Sequence, residues 1–311
     1  MKKITGLVAA TFAAYNEDGE INLEAIPQIV EKLVRDGASG VFVCGTNGEG
    51  PNLTIDERMA IVEAYVKAVN KRMTVMVHVG HSSVKEARKL AAHAEQAGAD
   101  ALSSVSAFYF KPASVKALVT SLAEIASAAP STPFYYYNIP HLTGVSMDML
   151  ELIKLAEEMI PSFAGLKYTA TTLHEYEACL NYKGGKYDIL YGLDEMLLGA
   201  IAVGAKGAVG STYTYATPLY KKIIENFESN NIDEARRLQM VSIKMVQSLV
   251  KFSPIPAQRA IVDMSGFELG PCRLPLVSLN SEERKRLKDD LESDNFFNLV
   301  DQCRDASMVN F

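Results

Sequence analysis

This 311-residue chain contains eight short apolar segments, and stretches of helical periodicity separate them. Short apolar runs of this kind are typical of strands that are buried on both faces of a parallel sheet. The predicted strands are Ile4–Ala9, Gly40–Val43, Thr74–His78, Ala101–Val105, Pro133–Tyr136, Phe163–Leu166, Asp188–Leu190 and Gly207–Val209. Eight strands that alternate with helices fit a closed barrel better than an open sheet. The sequence therefore predicts an α/β fold, a (β/α)8 TIM barrel with appended C-terminal helices.

Helix start and stop signals lie between these strands. Thr54 and Glu57 form a capping-box pattern in front of apolar residues with helical spacing. The same spacing of Ser or Thr and Glu recurs at two more predicted helix starts, Ser83–Glu86 and Thr172–Glu175. Glycines that suit left-handed helix C-caps precede three of the strands, at Gly37, Gly98 and Gly204.

The strand signals stop after about residue 229, and only helical patterns follow. The predicted C-terminal helices are Asn231–Phe252, Pro256–Met264 and Ser281–Leu291. No linker rich in Gly, Ser or Pro separates them from the barrel. We therefore expect one domain over residues 1–311, with the barrel over 1–229 and a helical extension over 230–311, a length that α/β barrels commonly reach.

Charge and cysteine content narrow the class of protein. The net charge is −6 and no basic run offers a nucleic-acid surface. No apolar stretch reaches the length of a membrane-spanning helix. The four cysteines lack metal-binding or thioredoxin-type spacing, which indicates reduced thiols and a cytoplasmic protein.

The N-terminal segment has two interpretations. Lys2 and Lys3, followed by a stretch poor in charge from Ile4 to Tyr15, resemble a secretory signal peptide. However, Gly6 and Thr11 interrupt the apolar run, and no clear Ala-x-Ala cleavage site follows. Because the strand count also needs this segment, we predict that it forms the first strand.

Lys167 ends the apolar segment that begins at Phe163. Burial disfavours a charged ammonium, so a lysine held at a buried strand end can present a neutral, nucleophilic amine. Such an amine forms a Schiff base with a carbonyl substrate. The alternative is a lysine that extends along the strand end to reach water. This segment alone does not decide between the two.

Polar residues also follow other strands, at the barrel end where active sites lie. Gly45 and Gly48 bracket Thr46 and Asn47, a pattern that suits a backbone nest for a carboxylate or an ordinary glycine-rich turn. Strand five ends in the aromatic run Tyr135–Tyr137, which is either core filler or places a phenol in the lumen.

Acids and hydroxyls end the last two strands, at Asp194, Glu195 and Ser211. These acids either cap the next helix or, with the hydroxyls, form a sugar site. His78 and His81 are three residues apart, but no third ligand motif accompanies them, so we expect no metal site.

The order of these motifs, namely GTNGE, YNIP, GLK-x-T, GLDE and GST, resembles the N-acetylneuraminate lyase family. That family belongs to the barrel aldolases that include dihydrodipicolinate synthase. The resemblance runs from Gly6 through the appended helices. It implies a class I aldolase, without cofactor or metal, that reversibly cleaves N-acetylneuraminate to pyruvate and N-acetylmannosamine. It also implies a homotetramer.

The resemblance assigns a role to each motif residue. Lys167 would form the Schiff base, and Tyr137 would shuttle protons. The residues implied to bind substrate are Thr46 and Asn47 for the carboxylate, and Thr169, Gly192, Asp194, Glu195 and Ser211 for the hydroxyl-bearing part of the sugar. Tyr109 matches a tyrosine that reaches into a neighbouring subunit's site. Asn47 departs from the family pattern, since relatives usually carry a second hydroxyl residue there.

Two alternatives stay open on the sequence. A sister aldolase, such as dihydrodipicolinate synthase or a 2-keto-3-deoxy sugar acid aldolase, would share most of the motifs. A synthase is expected to carry an arginine shortly after its YN-x-P motif, whereas this chain has His141, Leu142 and Thr143. A barrel that only binds sugar would have no use for a buried amine at Lys167.

Overall fold

The computed structural model describes residues 3–308, with side chains described through Asp305. Eight parallel strands close into a barrel in sequence order, because β1 pairs with both β2 and β8. The strands are β1 Gly6–Ala10, β2 Gly40–Val43, β3 Thr74–His78, β4 Ala101–Val105, β5 Phe134–Asn138, β6 Phe163–Tyr168, β7 Asp188–Tyr191 and β8 Gly207–Gly210. The predicted (β/α)8 fold is confirmed, and the N-terminal segment forms β1 as predicted.

Two of the predicted strands, β5 and β6, ended two residues too early. β5 extends to Asn138 and β6 to Tyr168, and their ladder continues through the pairs Tyr137–Lys167 and Asn138–Tyr168. The apolar run ends earlier than the strand, since a polar side chain that faces the lumen does not interrupt backbone hydrogen bonds. Tyr137 and Lys167 therefore lie inside neighbouring strands, directly opposite each other.

The helices alternate with the strands and then continue beyond them. Those between the strands are α1 Ile26–Asp36, α2 Ile55–Val69, α3 Val84–Ala97, α4 Val115–Ala126, α5 Pro140–Thr143, α6 Met149–Met159, α7 Leu173–Asn181 and α8 Leu197–Ala202. Those after β8 are α9 Tyr213–Glu228, α10 Ile232–Leu249, α11 Pro254–Met264, α12 Ser281–Ser293 and α13 Phe296–Met308.

The predicted helix caps are mostly confirmed. Thr54 and Glu57 form a full capping box at α2, and the Ser83 hydroxyl caps α3. Thr172 makes no side-chain cap on α7. The Glu175 carboxylate, which a capping box would direct to the Thr172 N–H, instead accepts hydrogen bonds from the Tyr168 hydroxyl at 2.6 Å and from the Met149 N–H at 3.1 Å.

Two of the three predicted glycine caps are confirmed. Gly37 and Gly98 adopt the left-handed conformation at the ends of α1 and α3, with φ of 80° and 92°. At α8 the cap residue is Val203, and Gly204 follows it.

The last helix, α13, was not predicted. Phe296, Val300 and Cys303 are buried, and their spacing places them on one helical face. α13 packs on α9, which follows directly from β8. Asn295, with a positive φ of 55°, separates this helix from α12.

The barrel interior is packed with inward side chains, among them Val8, Phe42, Met76 and Leu190. At its N-terminal end the Asp188 carboxylate is buried and accepts hydrogen bonds from the Tyr135 hydroxyl and the Ile4 N–H, both at 2.9 Å. Burial raises the pKa of Asp188, and these two donors oppose that shift. Tyr135 is thus part of the barrel core, at the end opposite the strand C-termini.

Across residues 3–308, no helix is both long and apolar enough to cross a membrane.

We predict that Tyr135→Phe lowers the free energy of unfolding by about 1–3 kcal/mol, because a buried carboxylate loses a donor. Urea unfolding at fixed protein concentration measures the change. Tyr136→Phe is the matched control, since the Tyr136 hydroxyl is buried without a hydrogen-bond partner among the described residues. Equal losses in the two variants would contradict this account of Asp188.

Candidate active site

Lys167 lies in the lumen near the C-terminal end of β6 and is only 4% exposed. Its Nζ lies 4.0 Å from the centroid of the Tyr137 ring and 4.5 Å from that of Phe42. Within the described part of the chain, no carboxylate oxygen comes within 4.0 Å of this nitrogen. The amine therefore rests on two aromatic rings rather than in an ion pair.

Tyr137 is next to Lys167 on the neighbouring strand and is 3% exposed. Its hydroxyl lies 3.3 Å from Thr46 Oγ1. Its ring meets Phe42 edge to face, with a centroid distance of 5.6 Å. The structure thus brings an amine, a phenol and a hydroxyl together at one point of the barrel mouth.

The loop after β2 supplies Thr46 and also Asn47. Cys44 and Glu49 adopt positive φ values of 57° and 50°, so the chain turns sharply on both sides of this pair. The turn is closed by the Glu49 N–H, which donates to the Thr46 carbonyl at 3.1 Å. Successive N–H groups in such a turn suit a carboxylate.

α11 holds this loop from outside the barrel. The Asn47 amide donates to Gln258 Oε1 at 3.5 Å, so its side chain is directed toward the helix. The buried Arg259 guanidinium donates to Glu49 Oε1 at 3.2 Å and to the Ala13 carbonyl. Burial raises the pKa of Glu49, and the charge of Arg259 opposes that shift.

A cavity of about 300 Å³ opens beside Thr46. Its polar lining includes Thr46, His78 and Glu49, and its apolar lining includes Val105, Phe108, Ile139, Leu142, Ile255 and Leu276. Phe108 belongs to the loop that carries Tyr109, whose side chain is 79% exposed. Tyr109 therefore lies on the protein surface, beside the mouth of this cavity.

His78 is buried in the lumen at the end of β3. Its Nε2 accepts the Val105 N–H at 3.3 Å, and its ring contacts Phe42 and Tyr137 edge to face. Burial, together with the charges of Arg58 and Lys167, holds the pKa of His78 well below its usual value. His78 is therefore a neutral part of the wall around the amine.

The two histidines weighed as a metal pair are engaged separately. His81 Nδ1 accepts the Ser83 N–H at 2.9 Å, while His78 faces the lumen. Over the residues with described side chains, no group of three or more His, Cys, Asp or Glu is arranged to hold a metal ion.

Hydroxyl and carboxylate groups lie on the opposite side of the mouth, after β6, β7 and β8. Thr169 is 5% exposed, and its Oγ1 is buried without a hydrogen-bond partner in the described structure. Gly192 permits this position, because a Cβ there would lie 2.1 Å from Thr169 Oγ1. The hydroxyl is therefore close to the β7 backbone, and no described residue satisfies it.

Asp194 is 4% exposed, and its Oδ2 accepts two hydrogen bonds from Thr212. Its Oδ1 has no partner among the described residues. A Cβ on Gly210 would come within 1.8 Å of that oxygen, so only glycine fits there. Burial raises the pKa of Asp194 to about 6, against the opposing hydrogen bonds from Thr212.

The remaining predicted residues are less enclosed. Ser211 is partly buried between Gly210 and Thr212 at the end of β8. Glu195 is partly exposed and borders an outer groove together with Phe227 and Arg236. Glu195 therefore has a wetter environment than Asp194.

Comparison with known proteins identifies the family. The pattern of the Dihydrodipicolinate synthetase family matches residues 3–294. The chain belongs to this family. N-acetylneuraminate lyase A of Xenopus laevis is 43% identical over 287 residues, covering 89% of this chain and 92% of that protein. N-acetylneuraminate lyase of Homo sapiens is 39% identical over 305 residues, covering 96% and 95%.

A solved structure with the same fold covers nearly the whole chain. The N-acetylneuraminate lyase (sialic acid aldolase) of Aliivibrio salmonicida is 39% identical, with a TM-score of 0.92, and the match covers 95% of this chain and 98% of that one. The similarity to that structure therefore includes both the barrel and the C-terminal helices.

Three residues of this cluster were not singled out from the sequence for the contacts that they make here. The Phe42 ring contacts the Lys167 amine, the His78 ring packs against Tyr137, and the Thr212 hydroxyl donates to Asp194. Strand alternation places Phe42 and His78 on inward faces, which is a signal that sequence reasoning can use. The contact between Thr212 and Asp194 joins two separate loops and has no local signal.

Proposed function

We propose that this protein is a class I aldolase that reversibly cleaves N-acetylneuraminate to pyruvate and N-acetylmannosamine. The observation that carries the proposal is a buried lysine amine, free of any ion pair in the described structure, beside the Tyr137–Thr46 contact. The names of the Xenopus laevis and human relatives support the choice of substrate.

In the first step the Lys167 amine adds to the C2 ketone of the open-chain sugar. Loss of water gives an iminium, which acts as an electron sink. The Thr46 hydroxyl and the N–H groups of Thr46 and Asn47 would hold the C1 carboxylate. The buried amine has no carboxylate partner within the described protein, and this favours an anionic substrate at that place.

In the second step Tyr137 takes the proton of the C4 hydroxyl, while its own proton passes to the substrate carboxylate. The C3–C4 bond breaks, its electron pair forms the enamine, and N-acetylmannosamine leaves as the aldehyde. Protonation at C3 and addition of water to the iminium then release pyruvate and restore the amine. Proton transfer by a positioned group contributes about 10²- to 10⁴-fold in rate.

The hydroxyl-bearing part of the sugar would lie over Thr169, Gly192, Asp194, Glu195 and Ser211. Thr169 Oγ1 and Asp194 Oδ1 support this orientation, because both are buried without protein partners in the described structure. A ligand hydroxyl would satisfy them, and leaving them unsatisfied costs free energy.

We further propose a cytoplasmic homotetramer that acts on small molecules and on neither nucleic acid nor membrane. Burial raises the pKa of the Cys44 thiol to about 11 and that of Cys179 to about 12, which suits thiols that stay reduced. Tyr109 and Phe110, exposed by 79% and 85%, supply an apolar projection for a subunit contact, in which Tyr109 would reach a neighbouring site.

The decisive experiment measures pyruvate release from N-acetylneuraminate with a coupled assay. We expect clear activity, and little condensation of pyruvate with aspartate semialdehyde, because Leu142 and its neighbours offer no arginine for a second carboxylate. Equal activity with the two substrates would favour the sister-aldolase alternative.

Schiff-base chemistry is tested by adding borohydride in the presence of pyruvate. We expect a reduced adduct on Lys167 and loss of activity, and we expect Lys167→Arg to show no adduct, since arginine does not lose its proton. Mass spectrometry of the digested protein locates the adduct. Wild-type protein without an adduct would rule out a class I mechanism.

Tyr137→Phe retains the ring that supports Lys167 and removes only the hydroxyl. We expect turnover to fall by at least about a hundredfold, while pyruvate still forms an adduct with Lys167. Tyr135→Phe is the control, since that hydroxyl bonds Asp188 at the other end of the barrel and its loss should change turnover little. Near-normal turnover of Tyr137→Phe would assign the proton shuttle to another group, with Thr169 or the substrate carboxylate next in line.

A further inference from the structure

Thr212, Tyr220 and Gln239 form a buried polar network behind Asp194. We propose that these three are positioning residues, which direct the one unoccupied oxygen of Asp194 toward the hydroxyls of the substrate. The inference rests on the proposed function and names the groups that would set recognition of the sugar half of the substrate.

The first step is the unequal use of the two Asp194 oxygens. Oδ2 accepts the Thr212 N–H at 2.9 Å and the Thr212 hydroxyl at 2.6 Å. Oδ1 has no partner of hydrogen-bond geometry among the described residues and lies against Gly210. The buried Tyr213 hydroxyl, which is also unpaired, lies near the same carboxylate. Two hydrogen bonds to one oxygen fix the plane of the carboxylate, so the other oxygen is left for a ligand.

The second step follows from counting protons on Thr212. Its hydroxyl carries a single proton, which goes to Asp194, so the Tyr220 hydroxyl 2.7 Å away must donate to Thr212. Tyr220 is fully buried on α9. The Tyr220 hydroxyl therefore donates to Thr212, and the Thr212 hydroxyl donates to Asp194.

The third step brings in α10, beyond the barrel. Gln239 Nε2 donates to the Asp194 carbonyl at 3.3 Å and to Ser242 Oγ at 2.6 Å, while its Oε1 accepts the Leu198 N–H at 2.8 Å. The Gln239 amide thus joins the backbone at Asp194 to that at the start of α8. Both the backbone and the side chain of Asp194 are held from outside the lumen.

Several other groups act on the Asp194 carboxylate. Burial is the main cause that raises its pKa, Glu195 adds to that shift and Lys167 opposes it. On α9, the Tyr213 hydroxyl is placed to share a hydrogen bond with the Asp194 side chain, and Tyr220 interacts with its charge. The Thr212 hydrogen bonds also lower the pKa, which burial brings to about 6. Above that pH Asp194 is an acceptor for sugar hydroxyls, and below it the acid loses the charge that strengthens those bonds.

The test uses Thr212→Val in the condensation direction, with KM measured separately for N-acetylmannosamine and for pyruvate. Loss of a hydrogen bond to a charged group predicts roughly a tenfold or greater rise in KM for N-acetylmannosamine, with KM for pyruvate and the borohydride adduct unchanged. The inflection near pH 6 in the N-acetylmannosamine KM should move upward, because the variant loses a donor that lowers the Asp194 pKa. Thr212→Ser restores the hydroxyl and should restore both values.

Thr217→Val is the matched control. Thr217 is equally buried on α9, but its hydroxyl donates to the Tyr213 carbonyl and not toward Asp194. We expect no selective change in KM for N-acetylmannosamine. If Thr212→Val does not fold, Tyr220→Phe takes its place, with the same upward pH shift and a smaller rise in that KM.

The possible outcomes separate the two proposals. Equal effects of Thr212→Val on both KM values, or the same selective effect in Thr217→Val, would overturn the positioning role and leave a structural one. Failure of the wild-type protein to trap pyruvate would instead overturn the proposed aldolase function.

Discussion

An amine buried without a carboxylate partner in the described structure is the constraint on which the rest of the site depends. Lys167 rests on the rings of Phe42 and Tyr137, and such contacts offset only part of the loss of hydration of an ammonium. A carboxylate beside it would quench the nucleophile in an ion pair. The barrel instead keeps Asp194 on another strand end, where Thr212 holds it. In the proposed reaction, the substrate carboxylate supplies the anion near Lys167.

Two of the helices that follow the barrel contact the loops at its C-terminal end. α11 holds the loop after β2 through Gln258 and Arg259, and α10 holds the backbone at Asp194 through Gln239. Arg259 also donates to the Leu269 and Pro271 carbonyls, so a single buried cation ties the loop after β2 to the chain that follows α11. Parallel strands bring their C-terminal ends to one rim, but strand ends alone do not orient side chains. The extension supplies that orientation.

The sequence predicted the eight strands and their closure into a barrel, because periodicity and helix caps are local signals. It placed the ends of β5 and β6 too early, since pairing between Tyr137 and Lys167 depends on the neighbouring strand and not on apolarity. The orientation of Asn47 toward Gln258 could not be predicted either, because 211 positions separate the two residues. Contacts of this kind join residues that are far apart in the sequence, and they decide where the side chain of a predicted site residue is directed.

Asp194 and Glu195 show why neighbouring acids can differ in role. Asp194 is buried, receives two hydrogen bonds on one oxygen and has a pKa of about 6, whereas Glu195 is partly exposed. A hydroxyl that binds Glu195 replaces water that was already a good partner, so the net gain is small. A hydroxyl that reaches Asp194 Oδ1 satisfies an oxygen that has no other protein partner in the described structure. Discrimination between sugars should therefore depend more on the environment of Asp194 than on the number of acids at the rim.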